Sequence, residues 1–122
     1  MQVNVTALDK VSATFETRLG TFTARIGSQS HLQLGACAIE LSVDTSLQPG
    51  VNAEVTDLRG ASITNEGAHI VFVGRVEQVD ADGVGFLRLM NALVMIDTLG
   101  EVQTGAWVAW TVHADAVRAW GC

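Results

Sequence analysis

Residues 69–90 read HIVFVGRVEQVDADGVGFLRLM, and this stretch decides the fold. Apolar residues occupy every second position from Ile70 to Val76, and a period of two is typical of a β-strand. The letters DADG at 80–83 predict a tight turn, because Asp and Gly tolerate the positive φ angles that a hairpin demands. We therefore predict an antiparallel hairpin. Its first strand is central in the sheet, because Val71 and Val73 make the second face of that strand apolar as well.

The same alternation extends outward from this hairpin in both directions. It is found in residues 3–7, 11–15, 22–26, 37–43, 51–55, 93–98 and 106–113. It predicts that Cys37 is a core thiol and that Trp110 lies in the core, whereas residues 59–67 form the longest loop. Two segments are ambiguous. Residues 86–93 fit a helix as well as a strand, of which we favour the strand, and the alanine-rich residues 113–120 fit a short closing helix.

These segments together predict one all-β, mainly antiparallel domain covering residues 1–122. A chain of 122 residues is long enough for one hydrophobic core and too short for two ordinary ones. We expect a small barrel or a two-layer sandwich of about eight to ten short strands, with one or two short helices at most, because closed or stacked sheets hide strand edges that would otherwise aggregate.

The strand rhythm of residues 70–120 resembles that of OB-type small β-barrels. It runs through residues 74–79, 83–89, 93–97 and 105–112, which make up about the last fifty residues of the sequence. The resemblance implies a ligand-binding face, often for single-stranded nucleic acid or oligosaccharide. The nucleic-acid version also needs a basic groove and a series of aromatic platforms, but this chain has no tyrosine and only 6% aromatic residues.

The charge balance restricts the partners that the chain can have. Thirteen acidic residues against seven basic ones give a net charge of −6, which disfavours nucleic acid because the phosphate backbone is repelled. This charge either serves solubility or complements a basic protein partner. Six arginines against one lysine indicate a GC-rich, bacterial genome. No apolar run approaches a membrane span, and residues 1–6 lack the features of an export signal, so we expect a cytoplasmic protein.

No motif in the sequence predicts a metal site or a cofactor. His31, His69 and His113 are the three histidines, and none has a second ligand at short spacing. The letters DADG resemble the start of a calcium loop, but Asn91 stands where the loop would need its final glutamate, and a hairpin turn explains the motif. Cys37 and Cys122 are more consistent with two free thiols than with a disulfide in a reducing compartment.

The sequence also gives no indication of an enzyme. It contains no Gly-x-Ser-x-Gly motif, neither cysteine has a base nearby in sequence, and Gly83-Val84-Gly85 is too short for a phosphate loop. Carboxylate pairs such as Glu54 and Asp57 are expected on the surface of so acidic a protein. We predict no catalytic residues and no cofactor.

What remains is a candidate surface for binding a protein. Six residues are expected on the sheet face opposite the core, where they mix large apolar and charged side chains: Phe86, Arg88, Met95, Asp97, Trp107 and Thr111. Either the N-terminal strands cover this face as a second layer, or it is open and forms an interface, in which Trp and Arg are common anchors.

Three functions follow from these patterns. The first is a small acidic inhibitor or immunity-type protein that blocks a basic partner. The second is a structural subunit that forms a homo-oligomer. The third is a β-barrel that binds a small molecule, an oligosaccharide or an oligonucleotide.

Overall fold

The computed structural model describes residues 1–28 and 30–121, and it confirms the prediction of an all-β fold. These residues form eleven strands and one short 3-10 helix, so the strand count is one above the predicted range. The strands are β1 (Gln2–Leu8), β2 (Ser12–Thr17), β3 (Gly20–Ile26), β4 (Gly35–Val43), β5 (Ala53–Val55), β6 (Ser62–Glu66), β7 (His69–Glu77), β8 (Val84–Leu89), β9 (Ala92–Asp97), β10 (Trp107–His113) and β11 (Val117–Gly121), and the 3-10 helix is Ala114–Ala116.

Five strands close into a barrel in the order β1-β2-β3-β11-β4. Neighbouring strands are antiparallel except β3 and β11, which run parallel. Side chains fill the interior, where the rings of Phe15 and Phe22 lie with their centroids 5.3 Å apart. Alternate positions of each barrel strand supply this interior, which is what the period of two in the sequence predicts.

The other six strands form an open sheet in the order β5-β10-β7-β8-β9, with β6 paired to β7. Strand β10 pairs along one edge of β7. Along the other edge, β6 pairs as far as Val73 and β8 begins at Arg75, so β7 changes partner at Gly74. A Cβ atom on Gly74 would lie 2.7 Å from the carbonyl oxygen of Arg88. Glycine therefore lets β8 approach β7 closely at this point.

The sheet is inserted in the chain between β4 and β11, and one hydrophobic core joins it to the barrel. Backbone bonds also join the two: the Ile63 amide donates to the Leu19 carbonyl at 3.0 Å, for example. Trp110 is 0% exposed, and its ring centroid lies 5.5 Å from that of Phe72, so its prediction as a core residue is confirmed. Cys37 is only half-buried and packs against the edge of the core, whereas Cys122 lies outside the described residues.

The structure corrects two predictions of element type. The predicted loop at 59–67 contains β6, in which Ile63 is the only apolar residue, so an alternating pattern could not reveal it. The predicted closing helix at 113–120 is a single 3-10 turn followed by β11. Val117 and Ala119 of β11 alternate and point into the barrel, but the alanines in residues 114–119 also fit a helical pattern. Residues 86–93 are strand, turn and strand, so the helical alternative is wrong.

Several apolar residues near strand ends were predicted to point into the core, and the structure shows that they are exposed. Val51 and Val55 are 72% and 77% exposed, because β5 is a three-residue strand at the edge of the sheet and Val51 lies in a turn. Val11 also lies outside its strand and is exposed. The register shift in β1 between Val5 and Ala7 turns Ala7 outward.

The closed barrel has five strands, as OB-type barrels do. Four of these five strands lie before residue 44, however, and only β11 comes from the stretch whose rhythm resembled such a barrel. Strands β7 to β10 of that stretch belong to the open sheet. Across residues 1–28 and 30–121, no helix has the length and apolar character needed to cross a membrane.

Candidate functional surface

All six candidate residues lie on the face of the open sheet that points away from Phe72 and Trp110, which we call the outer face. Phe86 pairs with Met95 across β8 and β9, and the other candidates have partners on the same face. Phe86, Arg88 and Trp107 are half-buried, whereas Met95, Asp97 and Thr111 are exposed. The N-terminal strands belong to a barrel whose core joins the opposite face of the sheet. Because Met95, Asp97 and Thr111 are exposed, these strands do not cover the candidate face as a second layer, and of them only β4 borders part of it.

Strand register arranges the outer face in rows that run across the sheet. One row joins Trp107 on β10 to Arg75 on β7, then to Arg88 on β8 and Leu93 on β9. The next row joins Glu77 to Phe86 and Met95. Residues that are far apart in sequence become direct neighbours in this way.

The first row borders a shallow hollow, which we call the arginine depression. It is lined by Arg59, Gly60, Ala61, Arg75, Arg88, Met90 and Trp107. Three of the chain's six arginines therefore meet beside one indole ring, and none of the described residues in the lining carries a carboxylate. The local charge of this hollow is opposite in sign to that of the whole chain.

Glu77 holds two of these arginines together. Its Oε1 atom accepts hydrogen bonds of 2.7 Å from Nη2 of Arg75 and from Nε of Arg88. The hydrogen bonds from Arg88 and then Arg75 lower the pKa of the Glu77 carboxyl to about 2, and Glu77 in turn raises the pKa of Arg88. Nη1 of Arg88 also donates to the Met90 carbonyl at 3.4 Å, and Nη1 of Arg59 donates to the Thr56 carbonyl at 2.9 Å.

The second row leads to a groove between the open sheet and the barrel, which we call the barrel–sheet groove. Its apolar lining includes Val43, Phe86, Leu93, Met95 and Trp120, and the carboxylates of Glu40 and Asp97 also belong to it. Leu93 is 48% exposed and Met95 is 64% exposed. Nε1 of Trp120 donates to Oγ of Ser42 at 2.9 Å, which fixes the indole on the barrel side.

The structure divides the six candidates between these two hollows and leaves one apart. Arg88 and Trp107 line the arginine depression, whereas Phe86, Met95 and Asp97 line the barrel–sheet groove. Thr111 lies farther along β10, opposite Val71, and lines neither hollow.

Sequence reasoning missed several residues of this surface, of which four are instructive. Arg75 and Leu93 could have been found, because they alternate with core residues as Arg88 and Met95 do. Arg59 lies in a loop, and Trp120 belongs to a barrel strand that reaches the groove only through the tertiary fold. Strand periodicity carries no information about either of these two positions.

The histidines do not form a metal site in the part of the chain that the structure describes, where no three His, Cys, Asp or Glu side chains could hold an ion together. His69 and His113 are paired across β7 and β10, and their rings meet edge to face with centroids 5.5 Å apart. Nδ1 of His113 accepts a hydrogen bond from the Asp115 amide at 3.2 Å, so this imidazole caps the 3-10 turn.

Comparison with known proteins gives no relative for this chain. No protein-family model, no curated protein and no solved structure matches it.

Proposed function

We propose that this protein is a non-catalytic protein-binding domain whose partner contacts the outer face of the open sheet. One observation carries the proposal: the large side chains of Phe86, Leu93 and Met95 stand side by side in the barrel–sheet groove, where Leu93 and Met95 remain exposed. Contiguous apolar side chains on a protein surface often mark an interaction site when polar residues surround them. Half-buried Trp107 and Arg88 add the residue types that most often anchor protein interfaces.

The specific form that we propose is a small acidic inhibitor or immunity-type protein acting on a basic partner. The net charge of −6 would accelerate the encounter with such a partner. The barrel–sheet groove supports this form locally, because Glu40 and Asp97 accompany its apolar side chains. A basic segment could bury apolar atoms in the groove and pair its charges with these carboxylates.

A homo-oligomer is the second candidate, and the same groove favours it. A two-fold interface needs one surface that is complementary to itself, and the outer face carries arginines and carboxylates beside its apolar strip. The third function, a β-barrel that binds a small molecule, an oligosaccharide or an oligonucleotide, would need a binding face on the outside of the barrel. Phe15, Phe22 and Ile39 are fully buried and occupy the barrel interior.

Site-specific photocrosslinking in the cells that make the protein tests the proposal. A benzophenone amino acid replaces Met95 on the outer face, and a matched control replaces Thr21, an exposed residue on barrel strand β3. We expect a covalent adduct of defined mass from position 95 and none from position 21. The substitution Leu93→Asp should reduce this adduct, because it places a charge in the apolar strip.

The mass of the adduct separates the candidates. A heterologous partner with a high isoelectric point supports the inhibitor, and an adduct of twice the chain mass supports the homo-oligomer. Equal labelling from positions 95 and 21, or no adduct from position 95, would overturn the proposed use of the outer face.

A further inference from the structure

We propose that the arginine depression binds a carboxylate side chain from an acidic segment of the protein partner. This inference rests on the proposed function and adds to it a site with its own ligand chemistry. It also differs from what the net charge of the chain implies, because this part of the interface would attract an anion and not a cation.

The arginine depression carries a local positive charge. Arg59, Arg75 and Arg88 come from a loop and two neighbouring strands, and they converge on one hollow with no carboxylate in its lining across residues 1–28 and 30–121. Glu77 compensates only part of this positive charge, and it lies outside the lining. The chain has seven basic residues in all, so placing three of them around one indole creates a local reversal of sign.

The arginines of the depression also have N–H donors available for an anion. A guanidinium has five N–H donors in a fixed plane, and its geometry matches a carboxylate in a two-point bond. The bonds to Glu77 and to the carbonyls of Met90, Thr56 and Leu58 use only some of these donors. Because Glu77 already orders two of the side chains, less conformational entropy is lost when an anion binds.

The surroundings of the depression favour carboxylates over a nucleic acid. A polyphosphate chain needs a basic track several charges long and a series of aromatic platforms. Among the described residues of this lining Trp107 is the only aromatic one, and Glu54 lies on the same sheet face opposite Ala109 of β10. Three guanidiniums and one indole suit the carboxylates of a protein segment, and they are too few for the extended backbone of a polynucleotide.

Titration of the full chain with a defined acidic peptide tests the inference. The probe is acetylated hexaglutamate amide at low ionic strength, followed through the indole N–H signals in ¹⁵N NMR. We expect a saturable shift of the Trp107 signal and no shift of the Trp120 signal. Arg59→Gln should weaken binding about fivefold or more, as expected for loss of a charge-assisted bond at a partly exposed site.

Arg18→Gln is the matched control, because it removes the same charge from the exposed turn between β2 and β3. If Arg18→Gln weakened binding as much as Arg59→Gln, the effect would be general electrostatic attraction and the inference would be wrong. An absence of saturation would also overturn it. Tighter binding of hexathymidylate than of hexaglutamate would show a nucleic-acid site instead.

The peptide titration and the photocrosslinking experiment can fail independently of each other. If the adduct at position 95 forms but hexaglutamate does not bind, only the carboxylate site fails. If hexaglutamate binds at Trp107 but no adduct forms, the outer face has an anion site and the proposed interface fails.

Discussion

Oε1 of Glu77 on β7 lies 2.7 Å from Nε of Arg88 on β8 and accepts a hydrogen bond from it across the two strands. The same oxygen accepts a second bond from Arg75, so one carboxylate connects two arginines at the centre of the outer face. These strands pair through only three residue positions. The side-chain bonds therefore support a short backbone contact.

Acid should weaken the fold through Glu77. Its pKa is about 2 in the folded chain against an ordinary value of 4.5, so the stability that it contributes is present above pH 4.5 and is lost as the pH falls toward 2. We expect Glu77→Gln to flatten this part of the stability profile, measured by urea unfolding between pH 5 and pH 2. Glu16→Gln, which removes a carboxylate elsewhere, is the control. Parallel profiles for wild type and Glu77→Gln would contradict the prediction.

The two arginines should contribute unequally to that low pKa. The hydrogen bond from Arg88 is the larger cause and the bond from Arg75 the smaller one. Arg88→Gln should therefore raise the pKa of Glu77 more than Arg75→Gln does, measured by the side-chain carboxyl ¹³C shift during an acid titration. The opposite order would mean that Arg75 is the main partner in solution.

The two tryptophans of β10 should respond differently to truncation. Trp110→Ala removes a fully buried ring packed on Phe72 and should cost about 3 to 5 kcal/mol of unfolding free energy through cavity formation. Trp107→Ala should leave the melting temperature almost unchanged and weaken the photocrosslinked adduct. Equal thermal damage from both would mean that the outer face is not open in solution.

The indole of Trp110 allows a finer comparison. Its Nε1–H is buried without a hydrogen-bond partner among the described residues, and an unpaired buried donor costs roughly 1 to 3 kcal/mol. Trp110→Phe removes this donor and keeps an aromatic ring against Phe72, so we expect it to lose well under half the free energy that Trp110→Ala loses. Thermal and chemical denaturation of both variants measure this, and equal losses would contradict it.

The close approach of β8 to β7 depends on Gly74. Gly74→Ala would place a methyl group against the Arg88 carbonyl and the Leu87 side chain, so we expect it to cost about 1 to 3 kcal/mol, as overpacking of a core does. Gly60→Ala is the matched control, because a Cβ atom there has no neighbour within 4 Å. The ¹⁵N shifts of the Arg75 and Arg88 guanidiniums should move in Gly74→Ala only. A neutral Gly74→Ala would show that the strands can separate without cost.

Local patterns in the sequence were sufficient to predict the β7–β8 hairpin and the outer face. Alternation fixes which side of a strand is buried, and the DADG turn fixes the direction of the next strand, so Phe86, Arg88 and Trp107 could be placed on one face. The same reasoning failed for β6, which has one apolar residue, and for β11, where alanines spaced through residues 114–119 fit a helix as well as a strand.

Strand pairing between distant segments could not be predicted. Nothing local indicates that β11 inserts between β3 and β4, and this insertion brings Trp120 to the groove. The convergence of Arg59 with Arg75 and Arg88 likewise depends on how a loop folds over the sheet edge. The net charge of the chain could not predict the positive charge of the arginine depression, because a sum over all residues does not say where the charges lie.

The insertion of the sheet between β4 and β11 has a consequence for the order in which the molecule assembles. Joining β11 to β4 closes a loop that contains all six strands of the open sheet, and the entropy cost of that closure falls when the enclosed chain is already ordered. We therefore expect the hairpins of the sheet to form early and the barrel wall to be completed last. Because one core spans both parts, scanning calorimetry should record a single heat-absorption peak.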